Sequence, residues 1–222
     1  MNQKDIILFD LDGTLTDPKE GITRSVQHAL AHYGIQVDDL DSLTPFIGPP
    51  LTDSYKQYYG FSDEQAREGV LVYREYFSVR GWSENKEYPG IKEMLAALKD
   101  AGKVLLVATS KPEEFARKII EYFGMTEYFD FIGGADMDET RVRKADVIRY
   151  TLKQAGIQAD EAAVTRCVMV GDREHDVLGA RECGMDCVGV LYGYGDRQEM
   201  DECRPAWMAD TVEELKNLLL TL

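Results

Sequence analysis

Four unbroken apolar runs punctuate the chain, at residues 6–9, 104–108, 167–170 and 187–191. Each stops abruptly at an acid, a hydroxyl, a glycine or a tyrosine. Runs this short and continuous read as strands buried on both faces, the kind found at the centre of a parallel sheet. A further stretch at 128–132, followed by Gly133-Gly134, reads as a short additional strand. The intervening segments carry a helical period. Between 21 and 33 the apolar positions are Ile22, Val26, Ala29, Leu30 and Tyr33, with Gly34 as the stop. Helices are also expected at 51–59, 63–79, 91–101 and 113–123, and one opening at Thr140 and running through Gln154. A last helix opens at Thr211, with Glu214 completing a capping box. The first three helices follow one another with no strand between them, so residues 17–87 read as a small helical domain inserted into an α/β core formed by 1–16 and 88–222.

Composition narrows the function classes. The 222 residues suffice for one ordinary domain or a domain with an insertion, and a 44% hydrophobic content suffices for a real core. The net charge of −15, with no basic run, argues against a nucleic-acid partner. Such a chain repels anions at long range, so any phosphate site must be made positive locally, by a metal, a lysine or helix N-termini. Cys167, Cys183, Cys187 and Cys203 form no Cys-x-x-Cys pair and accompany no histidine cluster, which argues against zinc. Cys167 and Cys187 read as small core residues in a reducing cytosol. No stretch reads as a signal peptide or membrane span. The expectation is a cytoplasmic protein, a monomer or weak homodimer, with no membrane partner.

Candidate chemistry lies where the apolar runs break. The first ends in Asp10-Leu-Asp12-Gly13-Thr14-Leu15. Ligands of open α/β sheets sit beyond the carboxyl ends of the strands, and in extended chain Asp10 and Asp12 share one side. Asp10 is placed to attack a phosphoryl group and form an aspartyl-phosphate. Asp12 is placed to protonate the leaving oxygen and later to deprotonate water. Taken alone, the pattern is equally a strand end with an Asx-type turn at Asp12.

Asp10-Leu-Asp12-Gly-Thr14-Leu resembles the first signature of the haloacid dehalogenase superfamily in its phosphatase form. The resemblance extends over nearly the whole chain, with further signatures at Thr109-Ser110, at Lys144 and at Gly171-Asp172-Arg-Glu-His-Asp176. It implies a Rossmann-like, doubly wound parallel core with an inserted helical cap that closes over the site, and, because the second acid Asp12 is kept, phosphate-ester chemistry. It further implies that Thr109 and Ser110 bind phosphoryl oxygens, and that Lys144 neutralises Asp10 and the phosphate. Ala145 stands where the family often has proline, and Arg141 and Arg143 lie close to Lys144 in sequence. For the metal the resemblance implies Mg²⁺, an oxygen-seeking cation, on Asp10, the backbone carbonyl of Asp12, and Asp172, with Asp176 binding directly or through water. Asp172 and Asp176, four residues apart, read as one face of a helix. Ser110 equally reads as the cap of the helix that follows Pro112.

The substrate implied is a small phosphorylated metabolite, phosphoglycolate or a nucleoside 5′-monophosphate. The aromatic residues near 46–50, at Tyr73 and Tyr76, and in the flexible loop 192–195 lean towards a nucleotide, whose ring would stack on them. The 46–50 loop reads equally as a plain interhelix turn, and Arg74 is more readily a solvated charge than a substrate grip. A phosphomutase and a non-catalytic binding or regulatory protein are the other readings. The intact set Asp10, Asp12, Lys144 and Asp172 weighs against the last.

Overall fold

The structure, a computed structural model, describes residues 3–138, 140–158 and 161–222. In chain order its elements are β1 (Ile6–Phe9), β2 (Thr16–Asp17), α1 (Lys19–His32), a 3-10 helix (Leu40–Phe46), α2 (Leu51–Tyr59), α3 (Asp63–Tyr76), a π-helical turn (Phe77–Gly81), β3 (Lys86–Glu87), α4 (Ile91–Asp100), β4 (Val104–Pro112), α5 (Glu113–Tyr122), a 3-10 turn (Thr126–Tyr128) and β5 (Phe131–Ala135). They continue with α6 (Lys144–Gln154), α7 (Glu161–Val164), β6 (Cys167–Gly171), α8 (Glu174–Glu182), β7 (Asp186–Val190), α9 (Arg197–Cys203), β8 (Trp207–Ala209) and α10 (Val212–Thr221).

Six strands form one sheet in the order β5-β4-β1-β6-β7-β8, and every pairing is parallel. The chain leaves β1 for β4 and β5 on one side, then crosses to β6, β7 and β8 on the other. The direction of winding therefore reverses at β1, and the crevice at such a reversal is where open α/β sheets bind ligands. Side chains alternate across the sheet. Ile6 and Leu8 of β1, Leu106 and Ala108 of β4, Cys167 and Met169 of β6 and Cys187 of β7 share one cluster with Val147, Ile148 and Leu152 of α6, Val177 and Ala180 of α8, and Met200 of α9. The intervening residues Ile7, Phe9, Leu105, Val107, Val168 and Val170 are also fully buried. Helices α4 and α10 pack together, and α4 packs on β4, outside that cluster. This is the doubly wound α/β core expected from the apolar runs.

The outer carbonyls of β5 at the sheet edge are taken up by side chains. Arg117 donates to the Ile132 carbonyl and Arg141 to the Gly134 carbonyl, which blunts the edge against a further strand.

The chain divides into two compact units, Met1–Thr16 with Glu87–Leu222, and Asp17–Lys86. Within the second, α3 packs on α1 and α2. Its centre is aromatic: Phe46 lies against Tyr55, Tyr58 and Tyr59, and Tyr55 stacks on Phe61.

Several local expectations need correction. The additional strand expected at 128–132 is β5, Phe131–Ala135, because Thr126–Tyr128 turns as a 3-10 helix before the chain extends. The helix expected from Thr140 begins only at Lys144, since Asp136 holds the Thr140 and Arg141 N–H groups and keeps that segment in a turn. Helix α3 stops at Tyr76 and gives way to a π turn. Strand β8 and the short helices α7 and α9 went unforeseen; none is long enough to show a period.

Candidate active site

The turn after β1 is built by alternation. Asp10 and Asp12 are separated by Leu11, which with Leu15 is completely buried. The Leu11 carbonyl accepts from the N–H groups of Thr14, Leu15 and Thr16, so two leucines in the core pin the loop that carries the acids. The Asp10 N–H continues the sheet by donating to the Val170 carbonyl, 2.9 Å away, placing Asp10 beside the end of β6. Gly13 has φ +85°, and a Cβ there would lie 2.1 Å from Asp172 Oδ2. A side chain at 13 would occupy the place of that carboxylate, which is why the loop needs glycine.

Lys144, the first residue of α6, is buried, and its ammonium links three elements. Its Nζ lies 2.6 Å from Asp10 Oδ1, 2.7 Å from Asp176 Oδ1 and 3.1 Å from the Ala108 carbonyl of β4. The neighbouring Arg143 turns outward to Glu182, and Arg141 to the β5 edge, so of the three nearby cations it is Lys144 that reaches Asp10. Burial opposes its charge, but the Asp10 and Asp176 carboxylates outweigh burial and raise its pKa.

Asp10, Asp172 and Asp176 are all buried and offer carboxylate oxygens within 4.8 Å of one another. Asp172 does not lie on a helix with Asp176, as their spacing suggested. It ends the run of β6, Arg173 is extended at φ −126°, and α8 starts at Glu174. Asp176 folds back from the first turn of α8 to accept the Arg173 N–H. The two acids meet because the chain reverses between them. Burial pushes the Asp172 carboxyl well above the usual range; the Asp176 and Asp10 charges push the same way, against the N–H bond from Tyr194. Burial also raises Asp176, with Lys144 opposing. The Lys144 ammonium alone does not balance three carboxylates out of water, and hard oxygen donors this close suit a magnesium-sized cation. The donor set therefore fits the metal that the resemblance implied.

Asp12 is held separately. Its Oδ2 lies 2.7 Å from Lys111 Nζ, both side chains being buried, while its Oδ1 is buried with no hydrogen-bond partner among the described residues. Burial raises its pKa, and Lys111 opposes the shift. Strand β4 does not stop at Thr109 but runs on to Pro112 with a shift of register between the two, and the Thr109 hydroxyl accepts the Lys111 N–H. Ser110, half-buried, does not cap α5: Pro112 occupies the cap position and no side chain caps the helix. His175 is half-buried between the acids.

Sequence reasoning missed Lys111, although it follows directly on Thr109-Ser110; a lysine two residues past the threonine that ends the apolar run was the available signal. It also misjudged the 192–195 loop. The Tyr192 hydroxyl donates to the Thr14 carbonyl, and its ring packs edge-on against Tyr88. Burial raises the Tyr192 pKa, so the phenol stays a donor.

Residues 7–190 match the family model described as haloacid dehalogenase-like hydrolase. A 5′-nucleotidase of Pseudomonas aeruginosa is 47% identical over 96% of this chain and 94% of its own length. The tyrosine-protein kinase PtkA of Mycobacterium tuberculosis is 41% identical over 96% of this chain and 72% of its own length. The crystal structure of a predicted phosphatase from Clostridium acetobutylicum superposes over the full length of both chains with a TM-score of 0.94 and 43% identity.

Proposed function

The chain belongs to the haloacid dehalogenase-like hydrolase family, and from that premise we propose that it hydrolyses phosphate monoesters of small metabolites through an aspartyl-phosphate on Asp10, with magnesium held by Asp10, the Asp12 carbonyl and Asp172. Relatives named 5′-nucleotidase, probable phosphatase and phosphoglycolate phosphatase support a phosphoric monoester hydrolase. One observation carries the mechanistic reading: at the winding reversal of the sheet a single buried lysine bridges Asp10 and Asp176, while the neighbouring Asp12 has its own lysine and one unpartnered oxygen. Two carboxylates two residues apart are thereby given different partners, and such a division separates nucleophile from acid–base group.

In this reading the Asp10 carboxylate attacks phosphorus as the ester P–O bond breaks, and Asp12 gives its proton to the departing oxygen. Asp12 then takes a proton from the water that attacks the acyl phosphate, releasing phosphate and restoring Asp10. Lys144 balances the charge on Asp10 and the phosphoryl oxygens, and Thr109 and Ser110 supply hydrogen bonds to those oxygens. Asp176 acts on the cation directly or through water. Bound magnesium would contribute Lewis-acid neutralisation of the phosphoryl charge. The Asp17–Lys86 unit is the cap.

Among substrates, nucleoside 5′-monophosphates come first and phosphoglycolate second. The support is the nucleotidase relative at 47% identity, against 26% for a phosphoglycolate phosphatase of Colwellia psychrerythraea. The stacking argument weakens, because Phe46, Tyr73 and Tyr192 spend their rings on protein partners. We place the protein in the cytoplasm on its four free thiols; no helix among the described residues is long and apolar enough to cross a membrane.

Phosphate release from a panel of phosphorylated metabolites with magnesium tests the reading. Activity on nucleoside monophosphates is expected, falling at least about tenfold in excess chelator and returning with magnesium. Calcium is expected to inhibit, since its looser, larger coordination does not hold Asp10 in line. Full activity in chelator would remove the metal from the mechanism. The kinase relative points to hydroxyl acceptors other than water; liberated inorganic phosphate measures hydrolysis directly and separates the two.

A further inference from the structure

The segment following β7 surrounds Asp172 more closely than a surface loop would. The Tyr194 N–H donates to Asp172 Oδ2 at 2.7 Å. The Tyr192 hydroxyl donates to the Thr14 carbonyl at 3.0 Å, and the Thr14 hydroxyl in turn points at Asp172 Oδ1, 3.4 Å away. Between the two tyrosines the backbone is wedged against both loops: a Cβ at Gly193 would lie 2.3 Å from the Gly13 carbonyl oxygen and 2.4 Å from Asp172 Cβ. On the far side, Glu199 of α9 accepts from Arg173 Nε at 3.0 Å and from the Glu174 N–H at 2.6 Å. Both oxygens of Asp172 and the two residues after it are thus held by partners outside the β6–α8 segment.

We propose that residues 192–199 are a clamp that orients the Asp172 carboxylate towards the cation, with Tyr192 and Glu199 as its positioning residues. This rests on the magnesium reading given above. Each anchor removes a freedom of Asp172. Tyr192 ties the loop to the Asp10–Leu15 turn, so the Tyr194 N–H is presented at a fixed place. That N–H takes Oδ2, which sets the direction in which the remaining lone pairs point. Glu199 holds the chain immediately after Asp172. Groups that orient a metal ligand in this way typically govern affinity by about tenfold to a hundredfold without touching the metal.

Magnesium binding to the full chain, followed by titration calorimetry in the absence of substrate, tests the clamp in wild type, Tyr192→Phe, Glu199→Ala and Asp172→Asn. Tyr192→Phe is expected to weaken magnesium by about tenfold or more, and excess magnesium to restore its kcat. A merely structural tyrosine would lower the melting temperature and leave the magnesium Kd unmoved, and that result overturns the clamp. Should Tyr192→Phe not fold, Glu199→Ala is read by the same criterion. If wild type binds no magnesium, or Asp172→Asn binds it equally well, the metal reading itself falls and the clamp with it. If Asp172→Asn loses magnesium while both clamp variants bind as wild type does, the clamp alone is refuted.

Discussion

Asp10→Asn is expected to lower turnover by on the order of 10⁴- to 10⁶-fold, the scale on which an enzyme loses a covalent nucleophile, while leaving the melting temperature unchanged or raised. The amide cannot form the acyl phosphate, and no other group lies where Asp10 does at the end of β1. Folding is spared for an electrostatic reason. Asp10 is one of three buried carboxyls within 4.8 Å of one another, and its charge helps to raise the Asp172 pKa. Neutralising it relieves that repulsion, and Lys144 keeps Asp176 and the Ala108 carbonyl as partners. Phosphate release and a thermal melt on the same preparation check both halves. A folded Asp10→Asn protein with near-normal phosphatase activity would end the covalent mechanism.

Asp12→Asn is expected to slow formation of the aspartyl-phosphate by about a hundred- to ten-thousandfold on a metabolite ester, the usual worth of a positioned general acid. The loss should depend on the leaving group. An alkoxide needs a proton as it departs, whereas a nitrophenolate leaves with little help, so the defect should be smaller with a nitrophenyl ester. A pH effect accompanies it. Burial raises the Asp12 pKa despite Lys111, so Asp12 keeps its proton to higher pH than an ordinary aspartate. The acid form drives the first step, so its rate should fall as pH rises through that raised pKa, and the falling limb should be missing in Asp12→Asn. Single-turnover measurements isolate this step from the later hydrolysis. Equal defects on the two esters would show that Asp12 is not the acid, and the division of labour between Asp10 and Asp12 would have to be dropped. Magnesium binding should survive the substitution, since in this reading only the Asp12 backbone carbonyl meets the cation.

The apolar runs, the period of the helices between them and the polar residues at their ends were determined by the sequence alone. They sufficed for the parallel α/β core, suggested an inserted helical segment, and drew attention to Asp10, Asp12, Thr109 and Asp172 at or just past the breaks in those runs. The reason is local: a strand buried on both faces must be apolar, so an acid at its end is conspicuous, and a glycine at 13 announces a turn. What the tertiary structure decided is non-local. Tyr192 and Thr14 are 178 residues apart, and no periodicity connects a phenol to a carbonyl over that distance; only the sheet order, which lays the loops after β1, β6 and β7 side by side, brings them together. Lys111 finds Asp12 in the same way, across the β4–β1 neighbourhood. The spacing of Asp172 and Asp176 suggested one helix face because four residues make a helical turn, yet Arg173 is extended and the acids meet through a reversal of the chain. Whether two charged groups meet is set by where their backbones are carried, and that is decided by burying the apolar runs between them.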